Sequence, residues 1–259
     1  MSNEIKLELK DNVAKITVNR PKMSNALSID LIETMSKCID EAIEKKARVL
    51  LLTGGGEKNF ISGADINDLL AYDPETARYH IEVGHKLFTK IEKLEIPTIA
   101  VINGYCLGGG LELAMSCDIR ICSKNAKFGQ PEINIGMVPG WGGTQRMQKL
   151  IGQSRTKYIM MLGRMYDADF MKDIGMIYEV AENIEELNLL AEKLAKKLSN
   201  FSQKTLRTTK LMINYSQNKT SEDVELRDEL SLAYMMTTKE AKEGLSAFLE
   251  KRKPNYDNL

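Results

Sequence analysis

Short, uninterrupted aliphatic segments, each followed by a glycine turn and a helical segment, constrain the fold of this chain most strongly. The segments at 48–53 (RVLLLT), 97–102 (PTIAVI) and 118–122 (DIRIC) are dominated by aliphatic residues. Runs of this length without polar alternation are typical of parallel strands that are buried on both faces. The repeated order of strand, glycine turn and helix therefore predicts an α/β fold with a parallel sheet.

Other segments predict the elements around this sheet. Residues 5–20 alternate apolar and polar side chains about an Asp-Asn turn, which predicts a hairpin. Ser28 is a suitable N-cap for an amphipathic helix, and Pro74 is expected to begin a long helix that ends near Leu94. From about Glu185 onward the pattern is helical, and no flexible linker precedes this part.

The charge balance argues against a nucleic acid or a membrane as partner. The chain of 259 residues has 36 Lys plus Arg and 36 Asp plus Glu, so no net positive field attracts polyanions. A nucleic-acid-binding protein, the alternative from another functional class, would need a basic stripe with aromatic residues that stack on bases. Aromatic residues are only 6 % here, and basic and acidic residues are interspersed.

The location of the protein is predicted from its apolar segments and cysteines. No stretch approaches the ~20 apolar residues of a membrane span, and residues 1–12 lack the apolar core of a signal peptide. The cysteines form no C-x-x-C pair and are expected to be buried thiols in a reducing compartment; they are Cys38, Cys106, Cys117 and Cys122. We therefore expect a soluble, cytoplasmic protein.

Several common kinds of catalytic site are missing from the sequence. The two histidines, His80 and His85, lie on a helix that we expect at the surface, and no H-E-x-x-H set occurs. There is no G-x-S-x-G motif, and neither GGGEKN at 54–59 nor GYCLGGG at 104–110 has the spacing of a phosphate-binding or dinucleotide-binding loop. The sequence predicts no metal and no separate cofactor, which leaves backbone groups and carboxylates.

Two glycine turns are candidates for binding a developing negative charge. Three glycines, 108–110, directly precede a helix whose first N–H groups have no partner within the helix and carry partial positive charge. The N–H groups of this first turn are thus candidate donors to an acyl oxygen that becomes an enolate, and the Ala64 N–H of the turn at 62–65 can supply a second donor. The alternative is that both are ordinary tight turns with helix caps.

Two glutamates are candidates for general acid–base catalysis. Glu112 lies in the apolar first turn after the glycines, and Glu132 follows Pro131 in FGQPEINIG. Two carboxyl groups above one ligand can hold a water molecule and exchange protons with it. Taken singly, Glu112 could instead be a surface acid that complements the helix dipole, and Glu132 an acid in a loop.

Five segments in order, nearly from end to end, resemble the crotonase (enoyl-CoA hydratase/isomerase) family. They are NRPKMSNALS, FISGADI, INGYCLGGGLELAMSCDIRIC, FGQPEINIGMVPGWGGTQR and EGLSAFLEKRKP. The resemblance implies a crotonase-like spiral of stacked β-β-α turns in residues 1–198, followed by a helical oligomerisation region in residues 199–259. It also implies a homotrimer or homohexamer and an acyl group carried on coenzyme A, which is part of the substrate.

The resemblance also assigns roles to residues. It implies that the N–H groups of Ala64 and Gly109 form an oxyanion hole and that Glu112 and Glu132 hold the water. Lys22, Ala26, Ala64, Asp65 and Ile66 match the segments that contact the nucleotide and pantetheine. Lys251 and Lys253 lie where a basic tail could reach the phosphates bound by a neighbouring subunit.

Within the family, glutamates at both positions favour hydration of a 2-enoyl-CoA to a 3-hydroxyacyl-CoA. An isomerase or another acyl-CoA enzyme on the same scaffold is the alternative. Trp141, in PGWGG, is either a packing residue or a contact of the acyl group. If it faces the acyl group, it shortens the pocket, and we therefore expect a short substrate that resembles crotonyl-CoA.

Overall fold

The computed structural model describes residues 4–217, 219–257 and 259. Its strands are β1 Ile5–Lys10, β2 Val13–Val18, β3 Val49–Gly54, β4 Asn59–Ile61, β5 Thr98–Ile102, β6 Tyr105–Leu107, β7 Ile119–Ser123, β8 Lys127–Gly129, β9 Tyr166–Asp167 and β10 Glu179–Ala181. Its α-helices are α1 Ile29–Glu44, α2 Ile66–Ala71, α3 Pro74–Lys93, α4 Gly109–Ser116, α5 Gly143–Ile151, α6 Gln153–Leu162, α7 Ala168–Asp173, α8 Ile184–Ser199, α9 Gln203–Ser216, α10 Ser221–Met236 and α11 Lys239–Leu249.

Successive β-β-α turns build two sheets side by side. The larger sheet has the order β1-β2-β3-β5-β7-β10, and the smaller has the order β4-β6-β8-β9. Strands β3, β5 and β7 pair in parallel in the first sheet, and β4, β6 and β8 pair in parallel in the second. The strand pairs β3-β4, β5-β6 and β7-β8 therefore each give one strand to each sheet before a helix follows, whereas β1 and β2 both belong to the larger sheet. This confirms the predicted α/β, crotonase-like spiral.

The predicted elements around the larger sheet are also present. β1 and β2 form the hairpin, and the Ser28 side chain accepts a hydrogen bond from the Leu31 N–H as the N-cap of α1. Every residue of β3 and β5 is buried, as expected for strands covered on both faces. The long helix α3 begins at Pro74 and ends at Lys93, one residue before the predicted end.

The smaller sheet and one histidine differ from expectation. Strands β4, β6 and β8 have three residues each, too few to show a periodic pattern, so the sequence does not reveal this sheet. The expectation that both histidines lie at the surface is wrong for His80, which is only 2 % exposed. Its position on α3 faces the rest of the fold, whereas His85 of the same helix is exposed.

Helices α9, α10 and α11 follow the spiral, as predicted for the end of the chain. They carry exposed apolar side chains, among them Leu230 and Phe248, which are 62 % and 80 % exposed. The division at residues 198 and 199 stays a prediction, as does the oligomerising role of this region. Within the described ranges, none of the helices has the length and apolar character needed to cross a membrane.

Contact between α4 and β4 leaves no space for a side chain at Gly110, and this gives a prediction about stability. A Cβ atom on Gly110 would lie 2.0 Å from the carbonyl oxygen of Ile61, a backbone atom that cannot rotate away. We expect Gly110→Ala to lower the free energy of unfolding by about 1–3 kcal/mol or more, as overpacking does. Thermal and urea denaturation measure this change.

Gly244→Ala is the matched control, because Gly244 also lies within a helix. There the nearest atom to an added Cβ is the hydroxyl of Tyr256, at 2.8 Å, at the end of a flexible side chain. Since alanine favours helix over glycine by about 1 kcal/mol, Gly244→Ala should be neutral or stabilising. Equal destabilisation by both substitutions would contradict the packing assigned to α4.

Candidate active site

One cavity of about 290 Å³ contains both candidate glutamates and both candidate backbone donors. Its lining comes from four parts of the chain: the turn before α2 together with α2 itself, the first half of α3, the start of α4 and the segment between β8 and α5. A larger cavity of about 360 Å³ lies at the opposite end of α4 and includes neither Glu112 nor Glu132. The smaller cavity is therefore the candidate active site.

Ala64 presents its N–H group to this cavity because its neighbours pair with Leu27. The Leu27 N–H donates to the Gly63 carbonyl at 2.8 Å, and the Asp65 N–H donates to the Leu27 carbonyl at 3.0 Å. In such a parallel bridge the residue between the two bonds directs its own N–H to the opposite side. Within the described part of the chain, the Ala64 N–H has no acceptor.

Gly109 is the first residue of α4, so its N–H is one of the donors that the helix itself cannot satisfy. The preceding residue, Gly108, has φ of 50°, in a region that favours glycine, and its N–H donates to the Gly129 carbonyl at 2.9 Å. The Gly109 N–H has no acceptor among residues 4–217, 219–257 and 259. It is thus available to a ligand.

The two turns and Glu132 meet at Gly108. A Cβ on Gly108 would lie 3.8 Å from Cα of Gly63 and 3.0 Å from Oε1 of Glu132. Similarly, a Cβ on Gly63 would lie 3.7 Å from the Gly109 nitrogen. Glycine at these positions leaves room for a ligand between the two backbone donors and one carboxyl group.

Glu112 is a buried carboxyl group that is held by backbone donors. It is 1 % exposed, and its Oε1 accepts hydrogen bonds from the N–H groups of Trp141 at 2.9 Å and Gly143 at 2.6 Å. Burial raises the pKa of Glu112 to about 7, although the two N–H donors oppose this shift. Since both donors contact Oε1, the other oxygen is the one that can contact a ligand in the cavity.

The Glu132 carboxyl group has fewer hydrogen-bond partners than the Glu112 carboxyl group. It begins the one-turn 3-10 helix Glu132–Ile135 and is partly buried. Burial raises the pKa of its carboxyl group, and its Oε2 is buried without a hydrogen-bond partner in the described residues. A buried acceptor without a donor costs about 1–3 kcal/mol, so either protonation or a donor on the ligand would stabilise this group.

Arg146 fixes the segment that supports Glu112. Its Nη1 donates to the Trp141 carbonyl at 2.7 Å, while its Nε and Nη2 donate to Oε2 of Glu92 at 3.1 and 3.0 Å. Glu92 belongs to α3, so this ion pair joins α3 to α5 beside the cavity. The positive charge of Arg146 also lowers the pKa of Glu112, in opposition to burial.

The remaining predicted binding residues differ in their positions. Ile66 and Trp141 line the cavity, but Lys22, Ala26 and Asp65 do not. Lys22 is exposed and Ala26 is buried, close to the bridge that orients Ala64. Asp65 is 5 % exposed, and its carboxylate lies 3.3 Å from an Arg20 guanidinium nitrogen, so this side chain stabilises the local structure. Binding of the nucleotide and pantetheine by these residues stays a prediction.

One buried polar group beside Glu112 was not predicted from the sequence. Gln130 is 1 % exposed, and within the described ranges neither atom of its amide has a hydrogen-bond partner. A Cβ on Gly143 would lie 2.7 Å from Nε2 of Gln130 and 2.8 Å from Oε1 of Glu112, so the amide and the carboxyl group are neighbours. Its place in GQPE, two residues before Glu132, is the only signal in the sequence.

A metal site is not evident in the same region. Across the residues that the structure describes, no three His, Cys, Asp or Glu side chains are grouped so that they could hold a metal ion. The groups that the protein presents at the cavity are two backbone N–H donors, two carboxyl groups of raised pKa and a neighbouring amide. These groups suit a reaction in which an oxygen becomes negative while protons are exchanged beside it.

Comparison with known proteins identifies the family of this chain. The family model described as enoyl-CoA hydratase/isomerase matches residues 8–258. The chain is 39 % identical over 253 residues to a short-chain-enoyl-CoA hydratase of Clostridium acetobutylicum, covering 97 % of this chain and 96 % of that protein. It is 37 % identical over 251 residues to a crotonyl-CoA hydratase of Syntrophomonas wolfei, with 96 % of each chain covered.

A solved structure shows the same architecture. The crystal structure of an enoyl-CoA hydratase from Bacillus anthracis superposes with a TM-score of 0.95 at 32 % sequence identity, covering 99 % of this chain and 100 % of that chain. Likeness in fold and in sequence therefore extends over almost the whole length, through both sheets and the helices that follow. This chain belongs to the enoyl-CoA hydratase/isomerase, or crotonase, family.

Proposed function

We propose that this protein catalyses the reversible syn addition of water to a short-chain 2-enoyl-CoA, which gives a 3-hydroxyacyl-CoA. The observation that carries the proposal is the meeting of Glu112, Glu132 and the N–H groups of Ala64 and Gly109 at one cavity. The names of the Clostridium and Syntrophomonas relatives support a short acyl group such as crotonyl. Coenzyme A enters as part of the substrate, and we propose no separate cofactor.

The proposed reaction begins with the thioester oxygen at the two backbone donors. The Glu112 carboxylate removes a proton from water, and the resulting hydroxide oxygen bonds to the β-carbon. The electron pair of the double bond moves toward the thioester, where the N–H groups of Ala64 and Gly109 stabilise the enolate oxygen. Glu132 then gives its proton to the α-carbon as the thioester carbonyl re-forms.

The hydrogen bonds of the site support this division of roles. Two N–H donors stabilise a carboxylate at Glu112, whereas no donor among the described residues stabilises ionised Oε2 at Glu132. Burial raises the pKa of both carboxyl groups, and of Glu112 to about 7, but because only Glu112 has donors that stabilise its ionised form we place the single proton of the pair on Glu132. Such closely interacting carboxyl groups titrate as a pair, so the active form is the one that carries one proton in total. Transfer of a proton from Glu112 to Glu132 restores this form after each turnover.

The test is an assay of purified protein with crotonyl-CoA. We expect loss of the conjugated enoyl absorbance and a product whose mass has increased by that of one water molecule. An isomerase would instead give a product of unchanged mass with a moved double bond, and this outcome would replace our proposal with the alternative. No reaction with any 2-enoyl-CoA of four to ten acyl carbons would overturn the assignment of an acyl-CoA hydratase.

The pH dependence of the rate follows from the pKa of Glu112. Because burial raises this pKa to about 7 in the ligand-free protein, we expect kcat/KM for hydration to fall as the pH decreases below about 7, where Glu112 gains a proton and no longer acts as a base. Steady-state rates between pH 5 and 9 measure this limb. A profile that is flat down to pH 5, near the ordinary carboxyl pKa, would contradict the role of Glu112.

We further propose that the protein is a cytoplasmic homo-oligomer. Exposed apolar side chains on the last helices support a contact between copies, since Leu226, Leu230, Phe248 and Leu249 are all at least 59 % exposed. A reducing compartment is supported by the cysteines, each of which is a buried free thiol. Measurement of the molar mass in solution distinguishes a trimer from a hexamer.

A further inference from the structure

Trp141, the single tryptophan of the chain, has a side chain whose position the catalytic roles above do not explain. Its backbone N–H supports Glu112, and the residue is 2 % exposed and is one of those that line the cavity. The ring lies between α3 and α4, so it closes the side of the cavity that these two helices form. Whether this side of the cavity can open depends on whether the indole ring can move.

Two glycines on neighbouring helices enclose the indole ring. A Cβ on Gly84 of α3 would lie 2.2 Å from Nε1 of Trp141, and a Cβ on Gly109 of α4 would lie 2.3 Å from Cζ3. Glycine is unfavourable inside a helix such as α3, so its presence at 84 is explained by the space that the ring needs. The ring therefore fits between two backbones with no room for further side-chain atoms.

Polar and aromatic contacts fix the orientation of the same ring. Its Nε1–H donates to the His80 carbonyl at 3.2 Å. The His80 ring lies 4.8 Å from the indole between centroids, and the Phe88 ring makes an edge contact at 5.4 Å. Since burial keeps the imidazole of His80 neutral by lowering its pKa, this packing does not depend on charge near neutral pH. Rotation of the indole would break the hydrogen bond and both aromatic contacts.

The other side of the cavity is built differently. It is lined by aliphatic side chains of α2, α3 and the segment before α5, among them Leu69, Ile81, Ile135 and Val138. Ile135 is 58 % exposed and Val138 is 76 % exposed, so this side borders the outside of the subunit rather than the core. The indole is thus the fixed boundary, and the acyl group must fit between it and these aliphatic side chains.

We propose that the indole of Trp141 is the specificity-determining wall that limits the length of the acyl group. The inference rests on the proposed function, because it concerns the acyl group of the same substrate. An acyl chain longer than crotonyl must displace a ring that α3 and α4 hold in place. Removal of the ring opens the space between Gly84 and Gly109 as far as Phe88.

The test compares wild type with Trp141→Phe and Trp141→Ala in two measurements. The first is kcat/KM for 2-enoyl-CoAs with four and eight acyl carbons. The second is the Kd of butanoyl-CoA and octanoyl-CoA, saturated analogues that bind without hydration. We expect the preference for the short chain to fall at least ~10-fold in Trp141→Ala and by less in Trp141→Phe, which retains part of the wall.

Ile39→Ala is the matched control, since Ile39 is a fully buried core residue of α1 that does not line the cavity. It should leave the ratio between chain lengths unchanged, whereas general loosening of the core would alter it as Trp141→Ala does. Circular dichroism checks the fold, and Trp141→Phe serves if the alanine variant does not fold. If the ratio between short and long acyl chains is unchanged in both kcat/KM and Kd, the inference about Trp141 is wrong. The proposed hydration of crotonyl-CoA is not affected by that result. If wild type hydrates no enoyl-CoA, the Kd ratios alone decide whether the wall exists.

Discussion

Glu112→Gln is expected to lower kcat for crotonyl-CoA hydration by roughly 10²–10⁴-fold, the usual contribution of a general base. The amide oxygen can still accept the hydrogen bonds that Trp141 and Gly143 donate to Oε1. The geometry of the site is therefore retained, while the group that removes a proton from water is lost. Steady-state kinetics give kcat, and titration with butanoyl-CoA shows whether ligand binding persists.

Glu132→Gln is expected to have an effect of similar size, because an amide cannot give the α-carbon its proton. The two glutamates act as a unit, so the double variant should be little slower than either single variant. Glu75→Gln, an exposed acid in the first turn of α3, is the control and should match wild type. Near-normal turnover in either glutamine variant of the pair would show that the roles are wrongly assigned.

Thermal unfolding shows whether Glu112→Gln is inactive because it lacks the catalytic group or because it is unfolded. The pKa of Glu112 in the folded protein, about 7, is above the ordinary 4.5, so the folded state binds the proton more tightly than the unfolded state does. The contribution of this group to stability therefore decreases as the pH rises from about 4.5 to 7 and stays unfavourable above 7. Glu112→Gln removes this cost, so at pH 8 the inactive variant should unfold at the same temperature as wild type or higher.

Ala64→Pro is the third substitution with a large expected effect, since it removes one backbone donor to the enolate oxygen. Loss of a single donor of this kind lowers kcat by about 10²–10³-fold, or roughly 3–4 kcal/mol. Position 64 is preferable to Gly109 for this test. Any Cβ at Gly109 would lie 2.3 Å from the Trp141 ring, so a substitution there also disturbs the cavity wall.

Ala64→Gly is the matched control, because it removes the methyl group but keeps the N–H. It should lose little activity, and both variants should retain the pairing of Leu27 with the residues on either side of position 64. Circular dichroism and thermal unfolding establish whether the proline variant is folded. A folded Ala64→Pro with the kcat of its glycine counterpart would rule out the Ala64 N–H as an oxyanion donor.

The parts of the structure that the sequence predicted are those with a local pattern. The aliphatic runs at β3, β5 and β7, the Ser28 cap and the proline that begins α3 each act over a few residues, so they are visible in the order of amino acids. The three-residue strands β4, β6 and β8 have no such pattern. They form because each follows a strand of the larger sheet and pairs with the equivalent strand of the next turn.

Candidate site residues were visible in the sequence as types and motifs, but their surroundings were not. The sequence supplied the glycines before α4, the glutamates at 112 and 132, and a family resemblance that gave them roles. It could not show that Oε1 of Glu112 is held by two N–H groups from residues 29 and 31 positions away. Nor could it show that the amide of Gln130 is buried or that His80 faces the interior, since burial depends on contacts far apart in the chain.

The sequence by itself thus determined the fold class and the chemical groups available for catalysis, because strand period, helix capping and residue chemistry are local properties. The tertiary structure alone decided how these groups act. It placed the turn at Gly63 against Gly108 and Glu132, buried Glu112 so that its pKa is raised, and fitted the Trp141 ring between Gly84 and Gly109. Distance, burial and electrostatic surroundings arise only when separate segments pack together, and they are the quantities on which the proposed reaction depends.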